Sequence, residues 1–495
     1  MRSFKVNSAL IRSGLTASVL LLGSAAAFGQ VTVNLTAAPG TATMPDGSAV
    51  PMWGYTCGTV NANCGPLLQP APATGAWSPV IITVPTGQDL TINLTNNLTF
   101  QPPTPTGGPT PPPNNIPTSI VIVGQLGGGL GASATSDPSP DHTNAQAQSW
   151  FAAGTLPGQA PVGVGTPPVQ GSRVRSMATE VAAGPGSTSA NTTSLCWGVC
   201  LTTAGVATGP ALRPGTYLIE SGTHPSIQGA MGLYGILVVT TAPTSGTAAG
   251  TAYPVNGTNT GTVTYNADVP LLFSEIDPSQ NTAVAAAVNT AGFSETNVWS
   301  GQQYSKDARG TSGVFSSGCG AQFNADGSAN PNWNTCYPPA VNYTPLFYMI
   351  NGVAFDKTHS THSLFNATAG TATSGIPSTG TVLVRLVNAG LRMHVPSIVG
   401  AQTGTATPPT AGFALIAEDG NVTPGTPRVQ SEVFMPAGKT TDVMINAVNT
   451  PARTTALPIF DRELSLSGNA VSRDNGMLAY ISINGAGAPA PLMLM

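Results

Sequence analysis

The chain has 495 residues, of which only 7% are charged, and its formal net charge at pH 7 is −4. Its length allows roughly two to four domains, and a hydrophobic fraction of 41% is enough for packed cores. The low, slightly acidic charge excludes an electrostatic footprint for nucleic acid, so no nucleic-acid partner is expected.

Residues 1–29 are typical of an export signal. Basic residues precede a short apolar segment at 15–23, and small residues surround the expected cleavage before Gln30. The apolar segment is too short to span a bilayer, and no later segment is predicted to do so. We therefore expect an exported protein that is periplasmic, bound to the cell surface or extracellular.

Six cysteines fall into three local pairs, which suits an oxidising compartment. Local disulfides in loops are the simplest interpretation, and a redox or metal-binding pair is the alternative. The sequence alone does not fix the connectivity. The pairs are Cys57 with Cys64, Cys196 with Cys200, and Cys319 with Cys336.

Apolar residues recur at period two through most of the first half, which predicts strands. The stretches 101–115 and 131–171 are rich in Pro, Gly or Ser and are predicted to be long loops. The strand-bearing stretches of this half are 31–45, 79–98, 117–128, 172–181 and 214–239.

The second half combines one Ala-rich stretch with further strands. The Ala-rich residues 280–298 are predicted to be helical. The strand-bearing stretches are 345–356, 381–400, 413–425, 428–447, 457–468 and 476–485.

Several of these stretches resemble the multicopper oxidase (laccase-like) superfamily. Residues 214–239, PGTYLIESGTHPSIQGAMGLYGILVV, resemble the end of its first cupredoxin domain. INGV at 350–353 and RLVNAG at 385–390 resemble strands of its second. The resemblance implies an all-β fold of two cupredoxin-like Greek-key β-sandwich domains with long loops. The implied divisions are domain one at 30–240, a linker at 241–264 and domain two at 265–490.

Copper is the cofactor that this resemblance implies. The family holds a trinuclear copper cluster with several His-x-His pairs, because alternate residues of a strand point the same way. This chain has five histidines in all, and none forms His-x-His. Val121 and Val123 stand where the resemblance places the first pair, and Glu220 or Gly222 replaces the histidine that would precede His224. We therefore predict that the copper-ligand motifs are largely lost.

Two smaller metal sites remain candidates. His224 and Glu220 form one half-site, and the alternative is a polar turn residue kept by fold geometry. His359 and His362 have His-x-x-His spacing, and His142 or Asp356 offers a third ligand. Here the alternative is a solvated polar loop. For His394, a structural hydrogen bond is expected.

Two functions follow from these observations. The first is an exported binding or structural module that retains the fold with degenerate copper sites, and whose exposed sandwich edges allow self-assembly. The second is a copper-dependent oxidoreductase, acting on phenols or metal ions. Its sites would be completed by a partner oxidase chain or by a further C-terminal domain. The catalytic residues are not identified by the sequence.

Overall fold

The computed structural model describes residues 29–68, 75–131, 134–137, 171–184, 190–244, 248–255, 261–291, 293, 343–369, 376–377, 379–404, 408–447, 456–465 and 475–489. Within these residues the fold is built almost entirely of β-strands. None of the helices among them is long and apolar enough to cross a membrane.

The described residues of the first half contain fifteen strands. They are β1 (Gln30–Thr43), β2 (Ala49–Cys57), β3 (Cys64–Pro66), β4 (Val80–Pro85), β5 (Asp89–Asn96), β6 (Thr99–Phe100), β7 (Asn114–Asn115), β8 (Val121–Ile122), β9 (Thr135–Asp137), β10 (Arg173–Ser176), β11 (Thr192–Trp197), β12 (Gly215–Glu220), β13 (Tyr234–Thr240), β14 (Gly250–Tyr253) and β15 (Val263–Tyr265). A four-residue helix, α1 (Pro225–Gln228), lies between β12 and β13.

Two sheets pack face to face in this half. One has the strand order β11-β5-β1-β2 and the other β3-β4-β13-β12-β8. Alternate residues of β1 are buried, which is the pattern of a strand with one face on a core. Leu35, Ile82 and Leu237 come from both sheets and share one apolar cluster. The parallel pairing of β1 with β5 and of β13 with β4 requires crossover connections between the sheets.

The second half forms another sandwich. Its strands are β16 (Ala267–Ile276), β17 (Phe347–Ile350), β18 (Phe355–Asp356), β19 (Leu364–Asn366), β20 (Thr381–Asn388), β21 (Pro396–Ile398), β22 (Gln402–Thr403), β23 (Thr410–Ala411), β24 (Phe413–Glu418), β25 (Asn421–Val422), β26 (Val429–Gln430), β27 (Thr440–Asn446), β28 (Leu457–Asp461), β29 (Asn475–Gly476) and β30 (Leu478–Ser482). The helices are α2 (Pro278–Val288) and a 3₁₀ turn at Ser360–Ser363.

The larger sheet of the second sandwich has the order β17-β16-β20-β27-β24-β25, with β26 also paired to β24. The smaller sheet has the order β19-β30-β28-β21. Phe273 and Val384 of the larger sheet share an apolar cluster with Ile459 and Ile481 of the smaller one. The predicted fold class, two all-β sandwich domains, is confirmed.

The two sandwiches pack directly against each other. Every residue of β13 is buried, so this strand has no solvent-facing side. One face joins the first core, and Ile236 on the other face shares a cluster with Leu272 and Phe347 of the second half. A continuous apolar run such as YGILVV is the sequence pattern expected for a strand that is covered on both faces.

Helix α2 links the halves in a second way. Asp277 caps its first turn by accepting from the backbone nitrogens of Ser279 and Gln280, at 3.0 and 3.3 Å. Val284 and Val288 are buried in the core of the first sandwich, although α2 follows a strand of the second.

Helix α2 ends at Val288, so the helix predicted for 280–298 does not continue through residues 289–291; residues 292 and 294–298 of that prediction lie outside the described residues. Asn289 and Thr290 bond with their side chains to the carbonyl oxygens of Ala285 and Ala286, at 2.7 and 2.9 Å. These bonds provide hydrogen-bond donors for carbonyl groups in the last turn, and the helix ends there.

Some strands are also shorter than the sequence indicated. Within 117–128 only Val121–Ile122 is a strand, because Gly124 and Gly127 adopt φ of 89° and 145° and turn the chain. In 428–447 a turn with Gly438 at φ 78° separates β26 from β27.

Two of the expected disulfides are present. Cys57–Cys64 joins β2 to β3, with 5.9 Å between the Cα atoms, and Cys196–Cys200 closes the end of β11, with 6.1 Å. Both are local pairs, as predicted. Cys319 and Cys336 lie outside the described residues.

Candidate metal site and the residues around it

The half-site formed by Glu220 and His224 lies at the end of β12. Glu220 is the last residue of that strand, and burial raises the pKa of its carboxyl group. His224 precedes α1 with a left-handed backbone, φ 38°, and is only 1% exposed. Its amide donates to the carbonyl of Arg175 at 2.9 Å, and its carbonyl accepts from Gln228 at 2.9 Å. These bonds fix the turn that carries both candidate ligands.

Val121 packs where an additional ligand would have to enter. A Cβ atom placed on Gly222 would lie 2.5 Å from Cγ2 of Val121 and 3.1 Å from Oγ of Ser119. Contacts below about 3 Å force a neighbour to move. Position 121 is therefore packed against position 222, which is one of the two positions, 220 and 222, at which the resemblance places the first histidine of the turn.

A buried polar network borders this contact. The amide oxygen of Gln228 accepts from Thr118 at 2.8 Å and from Ser221 at 2.7 Å. The hydroxyl of Thr223 lies 3.0 Å from those of Ser119 and Ser176. All members are at most 1% exposed: Thr118, Ser119, Ser176, Ser221, Thr223 and Gln228. Neutral hydroxyl and amide groups of this kind satisfy one another's hydrogen-bonding capacity and take the place of water in the interior.

His359 and His362 lie together on the 3₁₀ turn that follows β18. Their ring centroids are 5.3 Å apart with an interplanar angle of 11°. Nδ1 of His359 is 2.7 Å from Oδ2 of Asp356, which is the residue named above as a third ligand. Both histidines are exposed. His142 lies outside the described residues.

His394 is held between two buried carboxylates. Its Nδ1 is 2.9 Å from Oδ2 of Asp461, and its Nε2 is 3.1 Å from Oε2 of Glu275. Burial by itself lowers the pKa of His394, but the hydrogen bonds to Asp461 and Glu275 outweigh it and raise that pKa to about 9. The imidazolium therefore bridges β16 of one sheet and β28 of the other, as a structural hydrogen-bonding group.

The two carboxylates are further fixed by the backbone. Oε1 of Glu275 accepts from the amides of Leu391 and Arg392 at 2.6 and 2.9 Å. Oδ1 of Asp461 accepts from the amide of Val395 at 2.8 Å. Burial by itself raises the pKa of Asp461. The hydrogen bonds from His394 and from the backbone outweigh burial and lower that pKa.

A second buried charge cluster lies between the sandwiches. Nε of Arg385 is 2.7 Å from Asp268, and its Nη1 is 3.3 Å from Asp442. Asp442 also accepts from the hydroxyls of Thr216 and Tyr253, each at 2.7 Å. Burial raises the pKa of Asp442, while the charge of Arg385 lowers it. Thr216 belongs to the first sandwich and Arg385 to the second, so the cluster joins them.

Sequence reasoning expected a structural hydrogen bond for His394 but missed its two carboxylate partners, and it missed the Arg385 cluster altogether. A usable signal was present: in a chain with so few charges, Arg385 interrupts the apolar run TVLVRLVN and Glu275 follows LLFS. Lone charges inside apolar strands are rarely left unpaired.

Copper prefers imidazole and thiolate ligands. Val121 and Gly222, two described positions of the first sandwich at which the resemblance places ligands, offer no donor atom. Both ring nitrogens of His394, in the second sandwich, are engaged by carboxylates. Among the described residues, no group of three or more His, Cys, Asp or Glu side chains is arranged to hold a metal ion.

Comparison with known proteins gives similarities of structure only. No family model matches the chain, and no curated protein matches it. It is similar to the blue copper oxidase from Nitrosomonas europaea, with 15% identity, a TM-score of 0.45, and coverage of 94% of this chain and 89% of that one. It is also similar to a multi-copper oxidase from Pseudomonas thermotolerans, with 14% identity, a TM-score of 0.40, and coverage of 94% and 67%.

A laccase from Botrytis aclada is a further example, with 14% identity, a TM-score of 0.40, and coverage of 94% of this chain and 55% of the laccase. These proteins are of the class that the sequence motifs resemble. The likeness is one of fold and says nothing about individual residues.

Proposed function

We propose that this chain is an exported protein that uses two cupredoxin-like sandwiches as a binding or structural module and does not carry the copper cluster of multicopper oxidases. The resemblance of its motifs supports the relation to that superfamily. The five histidines of the chain, none of which forms a His-x-His pair, support the change of function.

The packing of Val121 against Gly222 is the observation that carries this proposal. Restoring an imidazole at position 222 requires Val121 to move, and well-packed interiors resist such movement. The network around Gln228 supports the same conclusion, because its members hydrogen-bond to one another and need no metal ion to satisfy them.

Export is supported by the disulfides. Cys57–Cys64 and Cys196–Cys200 would be reduced in most cytosols and persist in oxidising compartments. The compartment is the periplasm, the cell surface or the medium. Residues 1–29 are proposed to be removed as the signal.

Self-assembly is proposed through a sheet edge. Among the described residues, β11 lies at the end of its sheet, and its sequence TTSLCW has no charged side chain. The amide of Gly128 bonds to the carbonyl of Cys196 at 2.7 Å, so the proposed pairing edge is the first part of the strand, Thr192–Leu195. Uncharged edge strands are open to pairing with another chain. Sedimentation velocity should therefore show association that rises with protein concentration, and a monomer at all concentrations would contradict this part of the proposal.

Copper loading tests the main proposal. The tag-free mature protein is incubated with Cu(II), desalted, and measured by elemental analysis, visible spectroscopy and oxidation of a phenolic dye. The His359→Ala/His362→Ala double variant is measured in parallel, so that copper on those exposed rings is counted separately. We expect no blue absorption, no dye oxidation and no copper retained by the double variant.

An alternative outcome would favour the copper-dependent oxidoreductase. Retention of about one or more coppers per chain by the double variant, with a blue-copper band, would overturn the proposal. Dye oxidation that appears only after a second protein is added would point to sites completed by a partner oxidase chain.

A further inference from the structure

The exposed histidines of the second sandwich are rigidly placed by the backbone beneath them. The amide of His359 donates to the carbonyl of Asp356 at 3.0 Å, and that of His362 to the carbonyl of His359 at 2.9 Å. Ser360 is buried, and its hydroxyl donates to the carbonyl of Pro489 at 3.0 Å. In a 3₁₀ turn, side chains three residues apart lie one above the other. The backbone thus places the two rings side by side before a ligand binds.

Asp356 fixes which nitrogen of His359 carries the proton. A carboxylate only accepts hydrogen bonds, so Nδ1, 2.7 Å from Oδ2, must donate. Asp356 is itself held by the amide and hydroxyl of Thr358, at 2.8 and 2.7 Å from Oδ1. The Nε2 atom of His359 is left with its lone pair available. A carboxylate bonded to the far nitrogen of a histidine is the usual support of a metal ligand.

The ring separation also suits one shared ion. With zinc–nitrogen bonds near 2 Å and tetrahedral angles, two imidazoles on one ion have centroids about 5 Å apart. The observed centroids are 5.3 Å apart, which is close to that separation.

From this geometry we propose that His359 and His362 form a surface site for a divalent transition metal of the zinc, nickel or copper(II) type. The two rings are its protein ligands and water completes the coordination. Asp356 is a positioning residue that orients His359. The site is independent of the proposed loss of the copper cluster in the first sandwich.

Zinc titration of the tag-free full chain tests the site. Isothermal titration calorimetry with ZnCl₂ should give one ion per chain, and His362→Ala or His359→Ala should remove that binding. Thr361→Ala is the matched control, because Thr361 is exposed between the two histidines, and it should bind as the wild type does. Asp356→Asn should weaken binding about tenfold.

Nitrogen-15 NMR of the imidazoles tests whether Asp356 orients the ring of His359 or only stabilises the turn. In the wild type the signals of His359 should show the proton on Nδ1, and in Asp356→Asn the two tautomers should mix. The proposal is overturned if the wild type does not bind zinc, or if the double variant His359→Ala/His362→Ala binds it with unchanged stoichiometry and affinity. It is also overturned if Asp356→Asn changes neither the tautomer nor the affinity.

Discussion

Replacing His394 by Gln tests the bridge between the two sheets of the second sandwich. The imidazolium is only 1% exposed and hydrogen-bonds to Asp461 and Glu275, so its removal leaves two buried carboxylates without a cation. The pKa rises from 6.5 to about 9 in the folded protein. A shift of that size corresponds to about 3 kcal/mol of stabilisation at neutral pH.

The pH dependence of this stabilisation has a definite sign. Because the pKa of His394 is higher in the folded state than in the unfolded state, its contribution is complete below pH 6.5 and is lost as the pH rises through about 9. The free-energy difference between wild type and His394→Gln should therefore be largest near pH 6.5 and shrink by about 3 kcal/mol above pH 9. Tyrosines that titrate at higher pH affect both proteins and cancel in the difference.

Urea unfolding followed by tryptophan fluorescence measures this difference at several pH values. The control is His362→Gln, which changes an exposed histidine and should alter stability by less than about 0.5 kcal/mol at every pH. A difference between wild type and His394→Gln that stays constant from pH 6 to 10 would refute the argument, because a histidine with the same pKa in the folded and unfolded protein would give that result.

Three further changes probe the packing and the other networks. Gly222→Ala should destabilise the protein by about 1–3 kcal/mol, since its Cβ would lie 2.5 Å from Val121, and Val121→Ala in the same chain should restore part of the loss in thermal unfolding. Gln228→Leu should cost about 1–3 kcal/mol in urea unfolding because two buried hydroxyls lose their acceptor, whereas an equal melting temperature would show that the network is dispensable. Asp442→Asn should lower the free energy of unfolding by about 3 kcal/mol, and calorimetry should then show separate transitions for the two sandwiches in place of one.

The sequence predicted the fold well because apolar alternation is local information. The period-two pattern of residues 79–98 fixes both β4 and β5, and the unbroken run in β13 indicates a strand covered on both faces. The lengths of other strands depended on backbone conformation that the pattern does not record. Gly124 and Gly127 end the strand after Val121 by adopting positive φ.

The candidate sites could be predicted only in part from the sequence. The spacing of His359 and His362 predicted a shared metal site. The rings lie 5.3 Å apart because a short turn brings residues three apart together, and the metal site itself stays a prediction. The partners of His394 come from strands far away in the chain, Glu275 and Asp461, and no local pattern links them. Gly222 facing Val121 is likewise a product of tertiary packing.

The cluster of Arg385, Asp442 and Thr216 makes the halves of this chain inseparable as building blocks. A cut of the chain between β13 and β16 would expose the apolar outer face of β13 and leave Arg385 and Asp442 without Thr216 and the packing around them. Neither half is then a suitable unit for separate expression or for fusion to another protein. If one sandwich were exchanged between related chains, Thr216 in the first half and Arg385 and Asp442 in the second would all have to be compatible. These residues must therefore change together or remain as they are.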